Sequence, residues 1–451
     1  MNAEGTWTKS IIAMMLSIMG LGTMVLGVVG VIAVAGSDGE SGTSQGATQV
    51  QVHLSEFAVE MMPPAVPPGD VTFIVHNGGT VDHNFAVPSF GARTKNLQPG
   101  ESTSLVVKGI TEGDLEVICE IVGHDAAGMK ATLAVSTSTE VSQLATTGGQ
   151  MTWQQMDAMM EAVAKQFPAK TEGSGNSELG YSTSTDGYKV FDLVAKVIGW
   201  EVEPGKFVDG WSYNGQIPAP IIRVNTGDKV RINLKNELPE STSLHLHGIR
   251  VPNAMDGVDP YTQPAIKPGE TFVYEFVAQE SSVGMYHSHH NAQVQVPNGL
   301  AGALLIDDWK TIAMDVARSR LADADGDAET EVVMVLNDSG NIGLSLNGKS
   351  FPATTPYALA IGESMVVHYF NEGNTTHPMH LHQPSGLVVA HDGKVMEKPF
   401  WADTLNVAPG ERWTVVYTAL DAGVWAWHCH ILTHAETPEG MRYMVTALIV
   451  S

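Results

Sequence analysis

The sequence predicts an all-β protein: three Greek-key β-sandwiches in series, preceded by one apolar transmembrane helix. Three observations carry that expectation. Pro-Gly-Glu occurs at 99–101, 268–270 and 409–411, each time opening an alternating run (TSLVV, TFVYEF, WTVVYTA) with the period-two pattern of a strand after a turn. An upstream half repeats as well, in GDVTFIV (69–75), GDKVRIN (227–233) and GESMVVH (362–368). Short strands with Gly/Pro turns then recur with almost no long helical pattern, which implies sandwiches.

From Ser10 to Ser37 no residue is charged, and the apolar run is long enough to cross the roughly 30 Å hydrocarbon layer. Residues 1–36 are therefore read as a membrane anchor. Lys9 before the run and Asp38 and Glu40 after it put the body of the protein outside the cytoplasm. Cleavage after Ala33-Val34-Ala35 is the alternative, and either way the protein is exported. Residues 37–48 form a linker and 49–136 the first sandwich.

Residues 137–187 are a Ser/Thr/Gly-rich linker, in which Thr152-Trp-Gln-Gln155 resembles a capping box opening a short helix that Pro168 closes. Met156, Met159 and Met160 of that helix are either an apolar face or soft thioether ligands for cuprous ions. The second sandwich spans 188–308, a connector 309–329 and the third sandwich 330–451. Within the connector, the acidic run from Asp323 to Asp327 is a solvated linker. A calcium loop needs glycine at its sixth position and glutamate at its twelfth, and neither is present.

With 24 basic and 49 acidic residues the formal charge is −25, which excludes nucleic acid as a partner. An exported chain with two cysteines could form a disulfide. Their surroundings argue for metal instead. Cys119, Ser288 and Cys429 stand eighteen residues after the three Pro-Gly-Glu glutamates, so one slot is a thiol, a hydroxyl and a thiol. Around the first thiol, His83, Cys119, His124 and Met129 supply the thiolate, two imidazoles and thioether of a blue-copper electron-transfer centre.

Around the second thiol the chain reads VWAWHCHILTH (424–434). Side chains alternate along a strand, so His428 and His430 point one way, about 6.6 Å apart, and Cys429 the other. One tripeptide can thus serve two sites. Cys429 and His434, with His377 and either Met441 or Met444, make a second thiolate centre. His428 and His430 join His245-Leu-His247, His287-Ser-His289 and His380-Leu-His382 to give eight imidazoles in four pairs. Of the 17 histidines, His53, His76, His290, His368 and His391 remain as structural or surface residues. The second sandwich, with Ser288 in the slot, carries no thiolate copper.

Residues 49–136 resemble the cupredoxins. His-Leu-His-Gly (245–248), Tyr-His-Ser-His (286–289), His-Pro-Met-His-Leu-His (377–382) and His-Cys-His-Ile-Leu-Thr-His (428–434) resemble the four signature motifs of multicopper oxidases, here of the two-domain, laccase-like kind. The resemblance implies three cupredoxin-like domains, copper as cofactor and a trinuclear copper cluster held by the eight imidazoles. It also implies dioxygen as oxidant, a small reductant or protein as electron donor, and a homotrimer in which neighbouring subunits complete the cluster. Asp256, in Met-Asp-Gly-Val (255–258), matches an acidic residue that assists proton delivery in the family; a turn-forming Asp before Gly is the structural alternative. The family's axial methionine falls ten residues after the Cys, where this chain has Glu439, so Met441 is the best match and Met444 the alternative. The N-terminal cupredoxin is expected to act as a tethered electron relay. A copper nitrite reductase is the nearest rival and a non-catalytic copper carrier the rival from another class. The four histidine pairs favour the oxidase.

Overall fold

The computed structural model describes residues 48–451, apart from 56–57, 80, 126–127, 138–152, 321–327, 329 and 438–439. The anchor, most of its linker, Thr152, the acidic run 323–327 and Glu439 lie outside the described residues. Among the described residues no helix is long and apolar enough to cross a membrane.

Strands dominate, in three successive groups of two sheets. In each group the opening strand lies parallel to the strand that carries the upstream repeat. Thr48–Ser55 pairs with Gly69–Asn77, Tyr188–Glu203 with Lys229–Asn236, and Thr330–Ser339 with Ser364–Asn371. The post-turn strands Ser102–Ile110, Thr271–Val277 and Arg412–Thr418 then pair antiparallel to those carriers. Alternation along them sends Val71, Phe73 and Val75, Val230, Ile232 and Leu234, and Met365, Val367 and Tyr369 into three separate cores.

The repeat persists at the level of single hydrogen bonds. Each carrier strand ends in a buried asparagine: Asn77, Asn236 and Asn371. Asn77 Nδ2 donates to the carbonyls of Val81 and Leu97 at 2.8 Å, Asn236 Nδ2 to Glu240 and Ile266 at 2.9 and 2.8 Å, and Asn371 Nδ2 to Thr375 and Val407 at 2.8 Å. The glycine of each Pro-Gly-Glu turn has φ near +80° and donates its N–H to the same asparagine's carbonyl. A side chain at those glycines would strain the turn. Each asparagine thus moors a loop whose sixth residue is His83, Thr242 or His377.

The linker helix spans Trp153–Ala164. Val163 is buried with Phe351, Ala435 and Val445, and Met160 packs so closely on Gly440 that a Cβ there would lie 2.8 Å from its Cγ. One helix face therefore rests on the segment that follows His434, as the apolar-face alternative requires. The connector is more than a linker. Trp309–Arg318 is a helix capped by the Asp308 carboxylate, which accepts from Thr311 N at 3.1 Å, and it buries Trp309, Ala313, Met314 and Ala317.

Candidate metal centres

Three slots, one per sandwich, occupy equivalent places. In the first, His83 Nδ1 lies 3.2 Å from His124 Nδ1, and Cys119 Sγ lies 3.5 Å from His124 Nδ1. Asn84 N–H also points at Cys119 Sγ, at 3.5 Å. In the third, Cys429 Sγ lies 3.8 Å from both His377 Nδ1 and His434 Nδ1. Donor atoms within each trio are all within 4.8 Å of one another. Both cysteines are free thiols.

Backbone bonds identify the fourth member of each slot. In the first, Cys119 N donates to Met129 O at 3.0 Å and Met129 N to His124 O at 2.9 Å. In the third, Cys429 N donates to Met444 O at 3.1 Å and Met444 N to His434 O at 2.9 Å. Met444 is therefore the counterpart of Met129, and both are fully buried. Met441 is not in the slot. It is 42% exposed, in the two-residue strand Gly440–Met441 that pairs with Glu436–Thr437. The longer spacing from Cys429 to its methionine is taken up by that small hairpin.

The middle slot has the same backbone and different chemistry. Ser288 N donates to Leu300 O at 3.2 Å, where Leu300 replaces the methionine. Thr242 replaces the first histidine and Gln295 the second. Ser288 Oγ and Thr242 Oγ1 both donate to Gln295 Oε1, at 2.5 and 2.8 Å. Hydroxyls and an amide satisfy one another there, leaving no soft donor for a metal.

Eight further histidines form two quartets. His245, His247, His287 and His289 have ring centroids 5.2–6.5 Å apart, and His247 Nδ1 lies 3.3 Å from His287 Nε2. His380, His382, His428 and His430 have centroids 5.0–5.7 Å apart, and His382 Nε2 lies 3.3 Å from His428 Nε2. Register explains the second group: His380 faces His428 across antiparallel strands, with Cys429 opposite Met379 and turned into the core. Among the described residues no ring contact joins one quartet to the other.

Carbonyls fix which nitrogen each ring offers. His245 Nδ1 faces Asp256 O at 2.7 Å, His287 Nδ1 Ser288 O at 2.8 Å, His380 Nδ1 Asp403 O at 3.0 Å and His428 Nδ1 Cys429 O at 2.9 Å. With Nδ1–H engaged, each Nε2 carries the free lone pair toward its quartet. Asp256 thus orients His245 through its carbonyl, and its carboxylate stands 3.5 Å from the same Nδ1, behind the ring. Gly257 holds this loop against the preceding strand, since a Cβ there would meet Leu244 O at 1.9 Å.

Burial keeps some of these imidazoles neutral. It lowers His247 to about 3, with help from the Arg412 charge, and lowers His287 and His434 to about 4. It pushes the Cys429 thiol up to about 11, so this sulfur ionises readily only in exchange for a cation. Behind His377, Asp338 Oδ2 stands 3.5 Å from Nε2. Burial opposes its ionisation, but the His377 imidazole beside it and the bonds from Thr375 and Asn374 hold it well below the usual carboxylate range, so a fixed negative charge faces the imidazole. The five histidines outside the slots and quartets have other partners. His368 bonds Glu331 and Thr414, His391 stacks on Trp413 at 3.8 Å, His290 meets Asp259 at 2.7 Å, and His53 lies against His76.

Repeated sandwiches with thiolate–imidazole–thioether slots and clustered imidazoles present donor sets that suit copper. Comparison with known proteins agrees. Two multicopper oxidase family models match residues 196–311 and 323–447. The chain belongs to the multicopper oxidase family. It is 38% identical over 128 residues to a multicopper oxidase of Staphylococcus aureus, covering 28% of each chain. It is 28% identical over 272 residues to a probable nitrite reductase-hydroxylamine oxidoreductase fusion protein of Kuenenia stuttgartiensis, covering 56% of this chain and 31% of that one. The solved multicopper oxidase mgLAC superposes with a TM-score of 0.53 at 28% identity, over 58% of this chain and 86% of the other. The chain spans less than a third of the length of these two curated relatives.

Proposed function

We propose that the protein is a laccase-like oxidase that takes single electrons from a reductant and reduces dioxygen to water. The observation that carries this reading is the strand Gly423–Cys429, with the histidine that follows it. Its one thiol belongs to a slot of two sulfurs and two imidazoles, while the flanking His428 and His430 belong to a histidine quartet. Copper held by His377, Cys429, His434 and Met444, and by the eight clustered imidazoles, would supply one-electron transfer and oxygen activation. The chain supplies the wiring: the Cys429 sulfur is joined to both flanking imidazoles through a few covalent bonds of one strand.

Each quartet is half of an eight-imidazole set, and the halves sit in different sandwiches. A second copy of the chain can bring them together, which supports a homotrimer with clusters between subunits. The first sandwich, with His83, Cys119, His124 and Met129, is a tethered electron relay for the core. Residues 1–36 anchor the protein on the outer face of the membrane. The nitrite reductase reading needs a thiolate in the first core sandwich, where the slot is Ser288, Thr242 and Gln295.

Oxygen uptake with a panel of phenols and cuprous and ferrous ions tests the reading, beside copper per chain and sedimentation. Four-electron oxygen consumption by a trimer is expected. Nitric oxide release from nitrite without oxygen uptake would replace the oxidase by the reductase.

A further inference from the structure

The quartet of His245, His247, His287 and His289 lines a cavity of roughly 340 Å³, and part of its wall comes from the third sandwich through Glu372 and Asn374. Glu372 follows Asn371, so the asparagine clamp that positions His377 also fixes the backbone that carries this side chain; the Glu372 N–H donates to Leu336 O at 3.0 Å. The residue is buried, and its carboxyl makes no side-chain hydrogen bond or ion pair among the described residues. Arg412, the cation that acts on it, directs its donors to Val283 O at 3.2 Å and Gly410 O at 3.0 Å, and pairs with Asp392 at 3.4 Å.

An unpaired carboxylate in such a place costs several kcal/mol, so the group holds its proton. Burial pushes Glu372 up to about 8, opposed by Arg412. The other titratable groups around it are the buried Tyr213, on which its charge acts, Glu411 beside Arg412, Asp338 under the 373–375 turn, and the four imidazoles. Asp256 differs in kind: its carboxylate is partly exposed and stands behind His245.

Resting on the oxygen-reducing reading, we propose that Glu372 is the proton donor of the histidine cavity. The carboxyl O–H breaks as an O–H bond forms on the oxygen being reduced, the electrons come from the reductant, and the carboxylate recovers a proton from solvent past exposed Asn374. A neutral acid in the wall of the histidine cavity, with no side-chain hydrogen bond to hold its proton, is placed for general acid catalysis.

The test compares copper-loaded wild type, Glu372→Gln and Glu372→Asp. In Glu372→Gln, copper content and anaerobic reduction of the core thiolate site by a ferrous salt should be unchanged. Reoxidation by dioxygen should slow about tenfold or more, with partial recovery in Glu372→Asp. Difference infrared spectra should show the carbonyl stretch of a protonated buried carboxyl, lost as pH rises and missing from Glu372→Gln. Reoxidation of Glu372→Gln at the wild-type rate, or absence of that band from wild type, overturns the assignment. A protein that consumes no oxygen at all fails the functional reading instead.

Discussion

Replacing Met444 tests the core thiolate slot most directly, because its rival Met441 lies three residues away in a different environment. Met444 is fully buried in the cluster that contains Cys429, Trp427, Tyr369 and Leu381. Truncation to Ala should cost about 2–5 kcal/mol through the cavity it leaves, whereas Met444→Leu keeps the volume and should cost under about 1.5 kcal/mol. Met441 is 42% exposed, so Met441→Leu should fall within about 0.5 kcal/mol of the parent. Thermal melts of the metal-free proteins read these values. The Leu pair then isolates the ligand question. In a Cys119→Ser background, which leaves one thiolate slot, Met444→Leu should move the copper–thiolate absorption and the reduction potential, since the weak axial donor tunes both. Met441→Leu should move neither. A spectrum altered by Met441→Leu and indifferent to Met444→Leu would refute the slot derived from the Cys429–Met444–His434 backbone bonds.

Asn371→Ala removes the donors to Thr375 O and Val407 O, and should lower stability by at least about 2 kcal/mol and weaken copper retention at His377, read by melting and by metal analysis after dialysis. His247, His287 and His434 are lowered to about 3–4 in the fold, so it binds fewer protons than the unfolded chain; the metal-free protein should keep its stability above pH 6.5 and lose it as pH falls toward 4, read by melts across pH. Copper uptake at Cys429 should release a proton and tighten as pH rises, measurable in weakly buffered titrations, because the thiol is otherwise held up to about 11. Cys119→Ser should slow turnover with a protein donor and leave small reductants unaffected; equal rates with both would end the relay reading.

The candidate ligands were legible because they are rare types at fixed offsets. Two cysteines and four His-x-His pairs stand out against any background, and alternation along a strand tells which side chains share a face. The architecture was legible for the same reason, since turn glycines and period-two runs recur three times. Spacing, however, counts residues along the chain, and slots are assembled by backbone bonds. Met129 follows Cys119 by ten residues and Met444 follows Cys429 by fifteen. The extra residues include Glu436–Thr437 and Gly440–Met441, which pair with each other outside the slot, so the nearest count selected a surface methionine. The helix Trp309–Arg318 was hidden for a related reason: ten residues with polar neighbours show too few turns to declare a period, and packing of Trp309 and Met314 decides it.

What the sequence concealed most fully was polar. Asn77, Asn236 and Asn371 stand six residues before His83, Thr242 and His377, a repeat as regular as Pro-Gly-Glu, yet asparagine between strands reads as ordinary turn chemistry. Only the structure shows each side chain gripping two carbonyls from separate loops, the bonds that hold the first ligand of a slot in place before a metal arrives. The middle sandwich makes the consequence plain. It keeps the clamp, the turn and the Ser288–Leu300 backbone bond while Thr242, Ser288, Gln295 and Leu300 stand where ligands stand elsewhere. The frame therefore persists without a metal, and what separates a copper slot from a hydrogen-bonded one is four side chains on a shared backbone. Returning histidine, cysteine, histidine and methionine at those four positions should create a third thiolate copper with its own charge-transfer absorption. If the frame alone were insufficient, the substituted slot would stay colourless after copper loading.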